Sequence, residues 1–321
     1  MIIAILGGGV AAFEAANAAR KVSADAEITI YSAEKFLPYR RPALSGMLAD
    51  FKINEKMFFI KPESFYVDNR ISVKLNTRCV EVRENSLIFA DGSSAAFDRL
   101  IIATGGHACL PDIPGGDRGN VYTFRTIADL EKLDAALKNV SRAVIVGAGV
   151  LGLELAESLL KRDIDVTVLE MAPRLFSRFL TEEQSAEILV KLQEFSKLHL
   201  EFAVSVSAVD PDGVTLADGR NIPADMVIFA AGSRPELPET LPAGLLVNRG
   251  IVVDKNMQSS IPGIYAAGDV IEFDNRCFGL YNDARNTGIT AGTNAAGGNV
   301  EFQLAQNSPV RCFCLGLKLV M

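Results

Sequence analysis

At 321 residues the chain is longer than one hydrophobic core usually organises, so two domains are expected. A net charge of −7, with no strongly basic segment, argues against nucleic acid or an anionic membrane surface as partners. Hydrophobic residues make up 49% of the chain but aromatics only 7%, a balance that suits aliphatic, Rossmann-like sheets.

The first elements expected are a strand over residues 2–6, the turn Gly7-Gly8-Gly9-Val10-Ala11-Ala12, a helix over 10–21 and a strand over 27–31. In such a βαβ unit glycine permits positive φ and close backbone approach. The free N–H groups at the helix start can then receive a pyrophosphate. The apolar N-terminus lacks a basic flank and carries Glu14, so it reads as a buried strand and not as a secretory signal. After the loop Tyr39-Arg40-Arg41-Pro42-Ala43-Leu44-Ser45, residues 80–105 place alternating strands around an Asp91-Gly92 turn. Asp98 then precedes an apolar strand that ends in Ala103-Thr104-Gly105.

Glycines and prolines between residues 105 and 119, Pro111 and Pro114 among them, mark a crossing, after which the design repeats. A strand over 143–146 feeds Gly147-Ala148-Gly149-Val150-Leu151-Gly152, a helix over 150–161 and a strand over 166–169 that closes on Glu170. Residues 206–232 carry a second Asp-Gly turn, Asp218-Gly219, then Asp225 and an apolar strand that ends in Gly232. The next crossing, 232 to 244, contains Pro235, Pro238 and Pro242. The final third, with a strand over 251–254 and the turn Ala267-Gly268-Asp269, is too short for a third such domain and is expected to complete the first. The organisation expected is a discontinuous domain of residues 1–110 and 236–300, a second domain of 111–235, and a tail of 301–321.

Two cradles imply two bound dinucleotides. Five cysteines and two histidines include no CxxC pair and no repeated Cys/His spacing, so no metal site is expected and the thiols read as those of a reduced, cytoplasmic protein. Cys312-Phe313-Cys314 is too tightly spaced for an easy disulfide. No apolar run approaches the roughly 18 residues of a membrane span.

The motifs in this order (GxGxxA, YRRPALS, ATG, GxGxxG, AAG and AAGD) resemble the FAD-dependent pyridine nucleotide-disulfide oxidoreductase superfamily over residues 1 to 300. The nearest branch is that of NADH:rubredoxin and NADH:ferredoxin reductases and the flavin modules of nitrite reductases. The resemblance implies an α/β fold of two Rossmann-like, glutathione-reductase-like dinucleotide-binding domains, with the family's third domain absent or truncated. It places FAD on Gly7, Gly9 and Ala12, with Glu34 as the candidate ribose acceptor although it lies a few residues late. Arg41 would clamp the pyrophosphate, Pro42 and Ser45 would border the flavin, and Val80 would meet the adenine through its backbone. Ala103, Thr104, Gly105, Gly268 and Asp269 complete that site, Asp269 accepting from the ribityl hydroxyls. Asp283 and Ala284 open a helix whose dipole would favour negative charge on reduced flavin. NADH is expected on Gly147, Gly149, Val150, Leu151, Gly152 and Gly232, with Glu170 bonding the ribose 2′-hydroxyl and Arg174 close by. Glu154 resembles the family glutamate beside the nicotinamide and flavin rings, but its usual lysine partner is replaced by Gly46.

No cysteine lies between residues 1 and 78, where disulfide-reducing relatives and the NADH oxidase and peroxidase branch keep theirs. The function implied is therefore transfer from NADH through FAD to a small redox protein, rubredoxin or ferredoxin. The alternatives are an NADH oxidase using oxygen directly and an NADH-responsive flavoprotein regulator. The apolar tail 310–321 is expected to pair with the body or, in a homodimer, with another subunit.

Overall fold

The computed structural model describes residues 1–50, 58–304 and 310–321; part of the tail expected over 301–321 thus lies outside the described residues. The chain divides into two compact units. Unit 1 comprises Met1–Arg40, Asn54–His107 and Arg234–Ser308, and unit 2 comprises Arg41–Ile53, Ala108–Ser233 and Pro309–Met321.

Unit 1 is built on a five-stranded sheet in the order Ile264–Ala266, Arg99–Ile102, Ile2–Leu6, Glu27–Tyr31, Ile71–Lys74. Every neighbouring pair in it is parallel. Ile3, Ile5, Ile28, Ile30, Leu100 and Ile101 are at most 1% exposed, the burial on both faces that parallel strands require. The helix Val10–Val22 covers one face with alanines, and the helix Tyr281–Ala295 lies against it. Glycine makes that approach feasible: a Cβ on Gly288 would stand 2.4 Å from the Ala11 carbonyl oxygen, and one on Gly292 2.1 Å from that of Ala15.

Unit 2 repeats the plan, with parallel strands in the order Leu198–Phe202, Asp165–Glu170, Arg142–Val146, Met226–Phe229, Val121–Thr123. Each unit also carries a three-stranded antiparallel sheet turned at the expected Asp-Gly pair: Cys79–Val82, Ser86–Phe89 and Ser94–Ala96 in one, Val206–Asp210, Gly213–Leu216 and Asn221–Pro223 in the other. Gly92 and Gly219 adopt φ of +83° and +87° there. The aspartates at matching positions do matching work. Asp98 accepts from the Ile2 N–H at 2.7 Å, and Asp225 from the Ser141 and Arg142 N–H groups at 2.9 Å, so each carboxylate pins the start of its unit's central strand. The bond from Ser141 is the main reason the Asp225 carboxyl is held below its ordinary range.

The end of the chain pairs with itself: Arg311–Cys312 and Leu319–Val320 form an antiparallel hairpin around Leu315 and Gly316, whose φ values are +51° and +73°. Among the described residues no helix is long and apolar enough to cross a membrane, and no group of histidine, cysteine or acidic residues could hold a metal ion.

Candidate active site

In unit 1, Gly7 has φ +123°, and a Cβ there would lie 2.0 Å from the Ala103 carbonyl oxygen. The Gly7 N–H donates to Tyr31 O, which closes the turn over the sheet edge. Gly9 precedes the helix Val10–Val22, no described side chain caps that end, and a Cβ on Gly9 would meet no described atom within 4 Å. Helix N–H donors therefore face open space, the condition a pyrophosphate needs. Ala12, fully buried, takes the third position of the motif.

Unit 2 has the same cradle. A Cβ on Gly147 (φ +112°) would meet the Ala230 carbonyl oxygen at 2.7 Å, and one on Gly152 the Gly147 carbonyl oxygen at 2.0 Å, whereas one on Gly149 would meet nothing described within 4 Å. Val150 and Leu151 begin the helix Val150–Leu160, which also lacks a described side-chain cap. Gly232, φ +96°, ends the opposing turn. Both cradles thus fit a dinucleotide: one glycine is compulsory for backbone packing, and a second leaves room at the helix start.

The strand-end acid differs between them. Glu170 reaches across the second cradle and accepts from the Ala148 and Ala172 N–H groups, each at 2.8 Å. Its carboxylate oxygens have further lone pairs for a ribose hydroxyl. Gly147 N–H bonds Leu169 O just as Gly7 N–H bonds Tyr31 O, so the residue matching Glu170 in unit 1 is Ser32, not Glu34. Ser32 is 1% exposed, and its Oγ lies where a Gly8 Cβ would come within 2.3 Å. Glu34 stands two residues later and accepts from the Tyr39 hydroxyl at 2.7 Å. The sequence gives no sign of Ser32, since serine carries no acidic signature.

The turn Gly268–Val270 follows the strand Ile264–Ala266, with Gly268 at φ +81°. Its N–H donates to Thr287 Oγ1 at 3.0 Å, and the Thr287 hydroxyl donates to the Asp283 carbonyl at 2.7 Å. This fixes the backbone carrying Asp269 to the helix of Asp283 and Ala284. In the same unit Thr104 donates to the Glu236 carbonyl, Gly105 O accepts from the Glu236 N–H, and the Val80 carbonyl accepts from Thr240 at 3.0 Å.

Arg41, Pro42 and Ser45 lie in unit 2. Arg41 donates to the Arg125 carbonyl at 3.0 Å. Arg174 bonds the Ser177 and Leu180 carbonyls, bracing its own loop. The Ser45 hydroxyl donates to Glu154 at 2.6 Å, while Ser158 donates to the Ser45 carbonyl at 2.7 Å and Arg162 to the Leu48 carbonyl at 2.6 Å. A serine hydroxyl thus partners Glu154 next to Gly46. Burial pushes the Glu154 carboxyl above its ordinary value; the Ser45 hydrogen bond pulls the other way, and nearby Glu157 adds to the rise.

The model of the family described as pyridine nucleotide-disulphide oxidoreductase matches residues 1–298. The chain belongs to that family. This oxidoreductase is 34% identical over 285 residues to the rubredoxin-NAD(+) reductase of Pseudomonas putida, covering 87% of this chain and 74% of that one. It is 35% identical over 286 residues to the 5,5′-dehydrodivanillate O-demethylase ferredoxin reductase subunit of Sphingobium sp., covering 85% and 68%. Among solved structures it is similar to the ferredoxin reductase for the CYP199A2 system from Rhodopseudomonas palustris, with TM-score 0.86 and 26% identity over 94% of this chain and 78% of that one. The oxidoreductase is accordingly an NAD(P)H-dependent flavoprotein reductase of glutathione-reductase-like fold, and FAD and NAD(P)H are the family's cofactors.

Two results are expected at the second cradle and its helix. If Glu170 bonds the ribose as its place in the motif implies, Glu170→Ala removes those charge-assisted bonds together with the charge that repels a 2′-phosphate. NADH should bind about ten- to a hundredfold more weakly and the preference over NADPH should narrow, as nucleotide titrations would show; a wild type that prefers NADPH would contradict the role of Glu170. For Glu154, a raised folded-state pKa means that its stabilising contribution is complete below the ordinary glutamate pKa of about 4.3 and is lost as pH rises through the raised value. Glu154→Gln fixes the neutral form, so the variant's melting temperature should gain on the wild type as pH rises across that window. A difference constant with pH would contradict it.

Proposed function

We propose that this oxidoreductase carries reducing equivalents from NADH, through FAD, to a small iron-centred redox protein of the rubredoxin or ferredoxin type, working in the cytoplasm. The observation that carries the reading is the pair of cradles, the second overhung by Glu170, in a chain with no cysteine before Cys79. FAD, when bound, accepts two electrons as hydride from NADH and can release them one at a time.

The protein's own groups bind and orient. Backbone N–H groups at Gly9 and Gly149 meet the pyrophosphates, Asp269 holds the ribityl chain, and Glu170 selects the unphosphorylated ribose. Glu154, bridged to Ser45 and raised in pKa by burial, presents its carboxyl where the nicotinamide would sit. Hydride transfer needs no protein acid or base, so Glu154 is assigned to orientation. The names of the relatives support the choice of acceptor.

Stopped-flow mixing of the anaerobically NADH-reduced protein with rubredoxin, ferredoxin or oxygen tests this. Reoxidation by one of the two proteins should outpace that by oxygen. Faster reoxidation by oxygen would make the protein an oxidase, and persistence of the reduced form with every acceptor would make it a regulator.

A further inference from the structure

The hairpin at residues 310–321 holds a feature to which the proposed function assigns no part. Cys312 and Cys314 are 0% and 2% exposed, and their Sγ atoms lie 3.4 Å apart, within hydrogen-bonding reach. Burial alternates from the strand Arg311–Cys312 into the segment after it: Arg311 and Phe313 are exposed, the two thiols buried. Just beyond them the Leu315 N–H donates to Glu157 Oε1 at 3.1 Å, on the helix that carries Glu154. The hydrogen bond between the two thiols holds Cys312 below its ordinary range and, with burial, pushes Cys314 up; Glu154 and Glu157 oppose ionisation of both. Cys79, Cys109 and Cys277 show no such pairing with one another among the described contacts; burial pushes the Cys79 thiol up to about 11.

Spacing makes a bridge between them feasible but strained. The strand ends at Cys312, so Cys314 stands in the segment that leads into the turn, and two sulfurs now 3.4 Å apart must close to about 2.05 Å across a single intervening residue. Closing the bridge must draw in the segment between strand and turn, which works against the pairing of Cys312 with Leu319 and draws Leu315 away from Glu157. Strained bridges are the easily reduced ones.

We propose that Cys312 and Cys314 form a reversible thiol-disulfide latch, off the electron path, that fastens the terminal hairpin to the helix Val150–Leu160 when reduced and frees it when oxidised. The oxidant is a low-molecular-weight disulfide. The Cys312 thiolate, exposed as the two-residue strands open locally, attacks one of its sulfurs and expels the other as a thiolate. Cys314 then attacks the Cys312 sulfur and expels the second. The two cysteine protons pass to the two leaving thiolates, so the protein is oxidised by two electrons and the reagent reduced by two.

The test treats the full-length, FAD-loaded protein with oxidised glutathione. Mass spectrometry should find the loss of two hydrogens and a bridge between Cys312 and Cys314, reversed by dithiothreitol and missing in Cys312→Ser and Cys314→Ser. Amide exchange at Leu315 should quicken at least tenfold on oxidation in wild type and stay unchanged in both variants, which should keep NADH-driven reduction of an artificial acceptor within a few-fold. Failure to bridge, arrest at a mixed disulfide, or a bridge without faster exchange at Leu315 would overturn the latch. Loss of acceptor reduction in an FAD-replete variant would put the thiols on the electron path and overturn it too. A wild type that NADH does not reduce would sink the proposed function and leave the latch standing.

Discussion

Gly7→Ala and Gly9→Ala are expected to fail in different ways. At Gly7 the backbone has φ +123°, and the added Cβ would fall 2.0 Å from the Ala103 carbonyl oxygen, a backbone atom that no side-chain rotation can move aside. Strained φ and overpacking each cost about 1–3 kcal/mol, a large fraction of the 5–15 kcal/mol that holds a typical protein folded. Gly7→Ala should therefore lower the unfolding free energy by about 2–6 kcal/mol and yield little FAD-bound protein. At Gly9 the backbone has φ −95°, and the new methyl group meets nothing described within 4 Å. Gly9→Ala should fold with near wild-type stability but retain FAD poorly, because the methyl group enters the space kept for the pyrophosphate. Thermal unfolding and flavin absorbance of the two proteins separate these outcomes. Equal loss of stability in both would refute the division of labour.

Asp269→Ala is the second large effect. Asp269→Ala leaves in place the Gly268 bond to Thr287 and the bond from Thr287 to Asp283 at this turn, so the variant should fold. If Asp269 accepts from the ribityl hydroxyls as proposed, the variant loses a charge-assisted hydrogen bond worth about 1.5–3 kcal/mol, and FAD should bind roughly ten- to a hundredfold more weakly. Flavin released on dilution reads this directly. Full occupancy in the variant would remove Asp269 from the site.

What the residues disclosed in advance was local. Gly7 and Gly147 announce themselves because a strand-to-helix turn at positive φ admits little else, and Asp91-Gly92 and Asp218-Gly219 are turns by the same reasoning. The doubled plan was legible through repetition of those turns with Asp98 and Asp225 at equivalent places. What stayed hidden depends on contacts between distant residues. Ser45 meets Glu154 across 109 positions of sequence, and nothing in either segment specifies the other. The strand-end residue of the first cradle is Ser32, because register along the sheet edge, not residue type, sets that position. The tail differs from its expectation: among the described residues its strand pairs neither with the body nor with another subunit but with the chain's own last residues, through the turn at Leu315 and Gly316 that its apolar composition does not announce.

The central claim is that one chain binds FAD and lets NADH reduce it, and the visible spectrum of the purified protein tests that most directly. Two flavin bands should be present as isolated and should bleach on anaerobic addition of NADH. A protein that cannot be loaded with flavin, or whose bands persist in excess NADH, would contradict the account.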